Sequence, residues 1–204
     1  MKRARLETSM GEAQATTRSR ILEAALVVIE RDGAERATVR AIASEAGVNV
    51  AAINYHYRSK DELLEAAVAG TWAHAIQDLR SFLVVEPVSL KDRIEDFVLY
   101  LLRGGRQYPN LTRAYLFGAG AGPYPAILEG QRAFAAEFAA RVGSLLGRAP
   151  DAALVVRTTA LYSFCLFAAL APEALPPEIG AEDFASAARI LAKDYLDAVK
   201  GYAP

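Results

Sequence analysis

The sequence predicts an all-α fold of about nine helices, divided into a small N-terminal domain and a larger C-terminal domain. Apolar residues recur at spacings of three and four along most of the chain, which is the period of an amphipathic helix. Strict alternation of apolar and polar residues is rare, and no Asn-Gly or Asp-Gly turn joins two apolar runs, so strand signals are nearly absent. With 204 residues and 53% hydrophobic content, the chain can bury a substantial core.

The composition argues against a membrane-spanning, secreted or metal-binding protein. The most apolar segment is interrupted by Arg157, so no uninterrupted apolar run reaches the roughly 18 residues that a membrane span needs. The basic residues near the start lead into a polar stretch, unlike a secretory signal. The single cysteine, Cys165, cannot form an internal disulfide, which favours the cytoplasm. Two histidines and one cysteine argue against zinc, and no cofactor is expected.

The charge of the chain is unevenly distributed. Residues 1–60 carry ten Lys and Arg against seven Asp and Glu, whereas residues 61–204 carry thirteen against seventeen. The positive charge therefore lies at the front of the chain, where contacts with phosphate groups would be expected.

The N-terminal part is predicted to hold an arm and three short helices. Residues 1–16 are polar and rich in Ser, Thr and Ala, which indicates a disordered arm. Asp32-Gly33 is a stop signal for the first helix. The three helices are expected at about 17–31, 39–45 and 49–55. Residues 17–60 would then form one domain.

Residues 61–204 are predicted to form the second, larger domain. Ser59 and Glu62 have the spacing of a capping box, in which each side chain satisfies a free amide at a helix start. Ser89 and Asp92 repeat this arrangement. The expected helices lie at about 59–82, 89–105, within the Pro- and Gly-broken segment 108–124, and at 125–146, 151–170 and 184–199.

The segment from Thr38 to Lys60 has the pattern of a helix-turn-helix. Such a motif needs two short helices held at a steep angle by a tight turn. Ala43 is small where the helices would cross, and Gly47 provides the positive φ that the turn requires. The residues expected to form the small core between the helices are Val39, Ile42, Val48 and Ile53.

The second helix of this motif would present a face that suits the major groove of DNA. The face has no acidic residue, and its small and amide side chains can meet thymine methyl groups and base edges. The candidate base-reading residues are Asn49, Val50, Ala51, Ala52 and Asn54. The candidate phosphate-binding residues are Thr38, Arg40, Tyr55, His56 and Lys60.

The order of these residues resembles the N-terminal domain of the TetR family. The resemblance runs from about Arg18 to Ala67 and rests on the Ala-Gly-Val turn, the short recognition helix, Tyr-His-Tyr and the Ser-Lys-Asp-Glu-Leu-Leu helix start. The family commonly has Tyr-x-His-Phe here. This chain has Asn54-Tyr55-His56-Tyr57, so either Asn54 or Tyr55 takes the phosphate-binding tyrosine's role.

The resemblance implies a dimeric regulator whose C-terminal domain binds an effector. By position and apolar content, residues 151–170 and 182–200 match the two helices that pair between copies in this family. The implied function is repression, with release from a near-palindromic DNA operator by a small, largely apolar or aromatic effector. An architectural or cell-division factor without an effector is the alternative. No catalytic set is recognisable, so an enzyme is not expected.

Aromatic residues of the middle helices could line the effector pocket or fill the core. The pocket candidates are Trp72, Phe97, Tyr100, Tyr115, Phe134, Phe138 and Tyr162. For any one of them, a core position is the simpler interpretation, whereas the resemblance favours some pocket among these helices. The glycines between Gly118 and Gly122 lack the preceding strand and the Lys-Ser/Thr of a phosphate-binding loop, so they indicate a flexible connection.

Overall fold

The computed structural model describes residues 2–82, 88–120, 122–175 and 184–201. These residues form nine α-helices and one 3-10 turn, and none of them lies in a strand, which confirms the all-α prediction. The helices are α1 (Lys2–Asp32), α2 (Val39–Ala46), α3 (Val50–His56), α4 (Lys60–Phe82), α5 (Leu90–Gln107), α6 (Pro109–Phe117), α7 (Pro125–Leu145), α8 (Ala152–Leu170) and α9 (Phe184–Lys200), with the 3-10 turn at Pro172–Ala174.

The first helix is longer than the sequence pattern predicts. The structure includes residues 2–16 in α1, where the sequence pattern predicts a disordered arm. This segment has no proline, and ten of its fifteen residues are Lys, Arg, Leu, Glu, Gln or Ala with Met10 as an eleventh, all of which are good helix formers. Its Ser and Thr residues therefore do not interrupt the helix. Met1 lies outside the described residues.

The capping signals before α4 and α5 are confirmed. Ser59 accepts a hydrogen bond from the Glu62 amide at 3.1 Å, while the Glu62 carboxylate accepts one from the Arg58 amide at 2.8 Å. Ser89 accepts a hydrogen bond from the Asp92 amide at 3.2 Å. Both helices therefore start where their local sequence directs them to start.

The fifth helix continues past the glycine pair at which its end is predicted. Helix α5 runs to Gln107, and it packs against α4, α6, α8 and α9. A Cβ atom on Gly105 would lie only 2.6 Å from the Cβ of Ala169 on α8. Gly105 therefore allows α5 and α8 to approach closely, and the helix does not end there.

Helix α8 is the most apolar described helix, with a mean hydropathy of 1.7 over an 18-residue window. By length and composition it could cross a membrane, but a core helix of a soluble protein meets the same criterion. It packs against α5, α6, α7 and α9. Its place in the core therefore explains part of its apolar character, since 44% of this window is buried.

Candidate nucleic-acid interface and ligand cavity

Helices α2 and α3 are each fixed at their N-terminus by a side chain from the predicted motif. The Thr38 hydroxyl oxygen accepts a hydrogen bond from the Ala41 amide at 3.1 Å, and Asn49 Oδ1 accepts one from the Ala52 amide at 2.8 Å. Such N-caps satisfy amides that have no partner within the helix. After these bonds are made, the Thr38 hydroxyl proton and the Asn49 amide protons are still available to donate.

The turn between the two helices depends on a glycine. Gly47 has φ 63° and ψ 39°, in the left-handed region, and its amide donates to the carbonyls that end α2. The Val48 amide donates to the Ala43 carbonyl at 3.0 Å. The predicted role of Gly47 in the turn is therefore confirmed.

Arg20 of α1 also stabilises the turn between α2 and α3. Its guanidinium donates hydrogen bonds to the carbonyl oxygens of Ala46 and Gly47. Both acceptors lie at the C-terminal end of α2, where a cation is favourable. The sequence pattern does not single out Arg20, because the contact joins positions 26 residues apart.

The five candidate base-reading residues all lie on α3 or at its N-cap. The buried side chain of α3 is Ile53, at 1% exposure, so the rest of this short helix can project outward. Asn49, Ala51 and Asn54 are exposed, Val50 is 37% exposed, and Ala52 is half-buried. Residues 46–60 contain no Asp or Glu. The face therefore lacks charges that would repel phosphate.

The candidate phosphate-binding residues lie at the start of α2, in α3 and at the start of α4, and each is exposed or half-buried. Arg40 is exposed, and the Tyr55 ring is 72% exposed and lies edge-on to the His56 ring at 5.1 Å between centroids. His56 is half-buried. Lys60 is also half-buried, and its Nζ donates to the Glu35 carbonyl at 3.2 Å. A phosphate contact by Lys60 would therefore share or replace this bond.

Tyr57 belongs to the core of the domain. It is 4% exposed, and the Arg18 guanidinium lies over its ring at 5.6 Å from the centroid. Burial raises the pKa of the Tyr57 hydroxyl, while Arg18 acts in the opposite direction. Of the two tyrosines that flank His56, Tyr55 is thus the one available to a ligand.

A cavity of about 610 Å³ opens between α4, α5 and α6, with one lining residue on α8. Its wall includes Trp72 and Tyr115, whose rings stack at 3.8 Å between centroids. Among the described residues, the Trp72 indole N–H has no hydrogen-bond partner. The charged lining residues are Asp78, Asp96 and Arg103. The cavity therefore combines aromatic walls with a few polar groups, as small-molecule sites commonly do.

Three of the seven candidate pocket residues line this cavity, namely Trp72, Tyr100 and Tyr115. The Tyr100 hydroxyl donates to Asp78 Oδ2 at 2.9 Å. Burial and this carboxylate together raise the pKa of Tyr100 to about 12. The neutral hydroxyl is therefore the form present at ordinary pH, and it can orient Asp78.

The other four candidates lie elsewhere. Phe97 is fully buried against Phe134 and Phe138, with ring centroids 6.3 Å and 4.3 Å away. Phe134 and Phe138 line a second cavity, between α4 and α7. Tyr162 is buried behind the first cavity and hydrogen-bonds the Tyr115 hydroxyl. None of these four residues lines the first cavity.

Comparison with known proteins gives a sequence match at the N-terminal domain and a fold match over most of the chain. Residues 21–67 match the family described as bacterial regulatory proteins, tetR family. A 52-residue segment is 48% identical to the HTH-type nicotine-responsive transcriptional repressor HdnoR of Paenarthrobacter nicotinovorans. This match covers 26% of the chain and 27% of the relative, or about a quarter of the relative's length.

Two solved structures illustrate the shared fold. A tetR-family transcriptional regulator from Streptomyces coelicolor superposes with a TM-score of 0.70 at 18% identity, over 90% of this chain and 80% of that one. The regulator FadR from Bacillus subtilis, in complex with stearoyl-CoA, gives 0.66 at 14% identity, over 91% and 99%. Residues 21–67 thus match the tetR family in sequence, and the chain shares its fold with such regulators.

Proposed function

We propose that the protein is a sequence-specific repressor that a small, largely apolar or aromatic effector releases from a near-palindromic operator. The observation that carries this proposal is the exposed face of α3, which presents small and amide side chains without an acidic residue. A helix with such a face can lie deep in the major groove. The buried, unpaired Cys165 agrees with a cytoplasmic location.

The residues of this face divide into base-reading and phosphate-binding groups. Val50, Ala51 and Ala52 would meet thymine methyl groups, and the side-chain amides of Asn54 and Asn49 would bond base edges. We assign the phosphate-binding role to Tyr55, because its ring is 72% exposed. Thr38, Arg40, His56 and Lys60 would complete the grip on the backbone, which positions the protein without reading sequence.

The partner of the chain in this function is a second copy of itself. Helix α8 exposes Val156, Phe164 and Phe167 at 65%, 42% and 52%, and α9 exposes Ile190 at 46%. Apolar side chains on neighbouring outer faces favour an isologous dimer through residues 151–170 and 182–200, of which 182 and 183 lie outside the described residues. The two recognition helices would then read half-sites about 34 Å apart.

The cavity between α4, α5 and α6 is the proposed effector site. Its stacked Trp72 and Tyr115 rings suit an aromatic or aliphatic body. The acyl-CoA bound by the Bacillus subtilis FadR shows that this fold can hold an apolar ligand. The relative HdnoR is named as nicotine-responsive, but its match covers only 26% of this chain.

Selection of bound duplexes from a random DNA pool tests the DNA-binding half of the proposal. The full-length protein should enrich a site with dyad symmetry, since a two-fold dimer reads two equal half-sites. A matched selection with Ile190→Glu, which places a carboxylate on the proposed dimer face, should lose the second half-site. Failure of the wild type to enrich any dyad-symmetric site would contradict the operator hypothesis.

Tryptophan fluorescence tests the effector half. Trp72 is the one tryptophan of the chain and forms part of the cavity wall, so occupancy of the cavity should change its emission. Nicotine and stearoyl-CoA are suitable first probes, followed by a panel of small aromatic compounds. A compound that releases the enriched duplex should also change Trp72 emission. Release without any such change would show that the effector binds elsewhere, and the absence of any releasing compound would favour an architectural factor.

A further inference from the structure

The contact between α1 and α6 joins the DNA-binding domain directly to the cavity wall. The backbone amide of Leu111 donates to Glu30 Oε2 at 2.9 Å, and the backbone amide of Asn110 donates to Glu30 Oε1 at 3.5 Å. In the opposite direction, Asn110 Nδ2 donates to the Glu30 carbonyl at 2.8 Å. Glu30 and Asn110 thus form a two-way clasp across 80 residues of sequence.

This clasp supplies the N-terminal cap that α6 lacks within its own segment. The residue before the helix, Tyr108, makes no side-chain capping bond, and Pro109 has no amide hydrogen. The Thr112 amide already donates to the Tyr108 carbonyl at 2.9 Å. The two remaining amides of the first turn, those of Asn110 and Leu111, are the ones that Glu30 receives.

The position of Glu30 on its own helix is locally unfavourable. It lies in the last turn of α1, where the helix dipole favours cations over carboxylates. At the start of α6, the same carboxylate is favourable. The gain therefore comes from the contact between helices, and a local conflict of this kind is expected where function or tertiary structure constrains a residue.

Helix α6 also forms part of the cavity wall. Leu111, Thr112 and Tyr115 line it, and so does Tyr108 at the junction of α5 and α6. A ligand that shifts α6 would thus act on a helix whose first turn is tied to the end of α1. Helix α1 also holds the helix-turn-helix, through the bonds from Arg20 to the turn.

We propose that Glu30 is the positioning residue that couples occupancy of the cavity to the orientation of the DNA-binding domain. This inference rests on the proposed repressor function. Glu30 touches neither DNA nor effector; it acts by tying α6 to α1. Coupling between sites in regulators commonly changes affinity by about 5- to 150-fold, so its loss is measurable.

A double-mutant cycle tests the coupling without an identified effector. Gly104 lines the cavity from α5, and a Cβ added there meets open space, so Gly104→Phe places a ring inside the cavity. Affinity for the duplex enriched in the selection is measured for wild type, Gly104→Phe, Glu30→Ala and the double variant. Glu23→Ala, on the exposed side of the same helix, is the matched control for the lost charge.

The ring at position 104 should lower DNA affinity strongly where Glu30 is present and only slightly where Glu30 is replaced by Ala. Gly104→Phe should weaken DNA binding at least about tenfold in the wild-type and Glu23→Ala backgrounds, and less than about threefold with Glu30→Ala. Amide exchange at Asn110 and Leu111 should become faster in Glu30→Ala, and circular dichroism should confirm that each variant folds. Glu30→Gln, which keeps one acceptor oxygen, should give an intermediate factor.

Two results would overturn the coupling while leaving DNA binding intact. An equal loss of affinity in the Glu30 and Glu23 backgrounds would show that Glu30 only caps α6. No loss in any background would show that filling the cavity does not reach the DNA-binding domain. Failure of the wild type to bind any duplex would overturn the repressor function itself, and the coupling with it.

Discussion

The proposed DNA-binding domain, α1 to α3, and the proposed effector domain, α4 to α9, are built from the same kind of helix but are specified over different distances. In the first, Thr38 caps α2 and Asn49 caps α3, each by accepting a hydrogen bond from the amide three residues later, and Gly47 forms the turn between the two helices. In the second, the Tyr115 and Tyr162 hydroxyls meet across 47 residues. Local chemistry therefore defines the DNA-binding motif, whereas only tertiary packing decides which aromatic residues line a cavity.

The largest expected effect comes from the aromatic core of the effector domain. Phe97→Ala removes a fully buried ring that contacts Phe134 and Phe138, and should lower the free energy of unfolding by about 3–5 kcal/mol. The folded fraction should still bind DNA with nearly normal affinity. Urea unfolding followed by circular dichroism measures the loss.

The matched change in the DNA-binding domain is Ile53→Ala. It removes the buried anchor of α3, at a cost of about 2–5 kcal/mol, and should abolish sequence-specific binding even below the unfolding transition. If folded Phe97→Ala lost as much DNA affinity as folded Ile53→Ala, the contrast between the two domains would be contradicted.

Alkaline pH should destabilise the effector domain more than the DNA-binding domain. Burial raises the pKa of the Cys165 thiol to about 12, whereas an unfolded thiol ionises near 8.5. Below pH 8.5 the Cys165 thiol is protonated in both the folded and the unfolded state, so its ionisation does not lower the free energy of unfolding there. Above it the unfolded state gains by ionising, and stability falls by about 1.4 kcal/mol per pH unit for this group, up to about pH 12.

Stability measured between pH 8 and 11 checks this linkage, with Cys165→Ala as the control that should flatten the slope. Burial also raises the pKa of Tyr115 and Tyr162. The DNA-binding domain contributes Tyr57 in the same direction. Equal alkaline loss of the two domains, or an unchanged slope in Cys165→Ala, would contradict the account.

A pair of glycine substitutions compares the turn with an ordinary helical position. Gly47→Ala puts a Cβ into a left-handed backbone and within 3.1 Å of the Arg20 guanidinium, so it should cost about 1–2 kcal/mol. Gly70→Ala, in α4 with open space around it, should stabilise by about 0.5–1 kcal/mol. Thermal unfolding measures both changes. A stabilised Gly47→Ala variant would disprove the role given to the turn.

The smallest expected effect concerns a single phosphate contact. Lys60→Ala should weaken binding to all DNA sequences alike and lower the slope of log K against log salt by about one. Arg132→Ala, on the exposed side of α7, removes a charge far along the chain and should leave the slope unchanged. Salt titrations of both variants would reveal an error in the phosphate assignment if Lys60→Ala behaved like the control.

The sequence supports the fold class, the helix starts at Ser59 and Ser89 and the turn at Gly47, because each depends on residues within one helical turn. It also indicates the α3 face, since Ile53 is the apolar residue that a seven-residue helix buries. The division of the aromatics between cavity and core is not readable in this way, because Phe97 and Tyr100 lie on one helix only three positions apart. The only sequence signal for Glu30 is an acidic residue near the C-terminal end of a helix, where the helix dipole disfavours negative charge.

Base reading by α3 is tested most directly by parallel selections with wild type and Asn54→Ala. Asn54 is exposed, and no hydrogen bond to its side chain is found among the described residues, so the substitution should leave the fold intact. The account predicts the same dyad spacing for both proteins, with base preference changed at one position in each half-site. Enrichment of an identical sequence by both proteins would contradict base reading by Asn54, and enrichment of no symmetric site by the wild type would contradict the account as a whole.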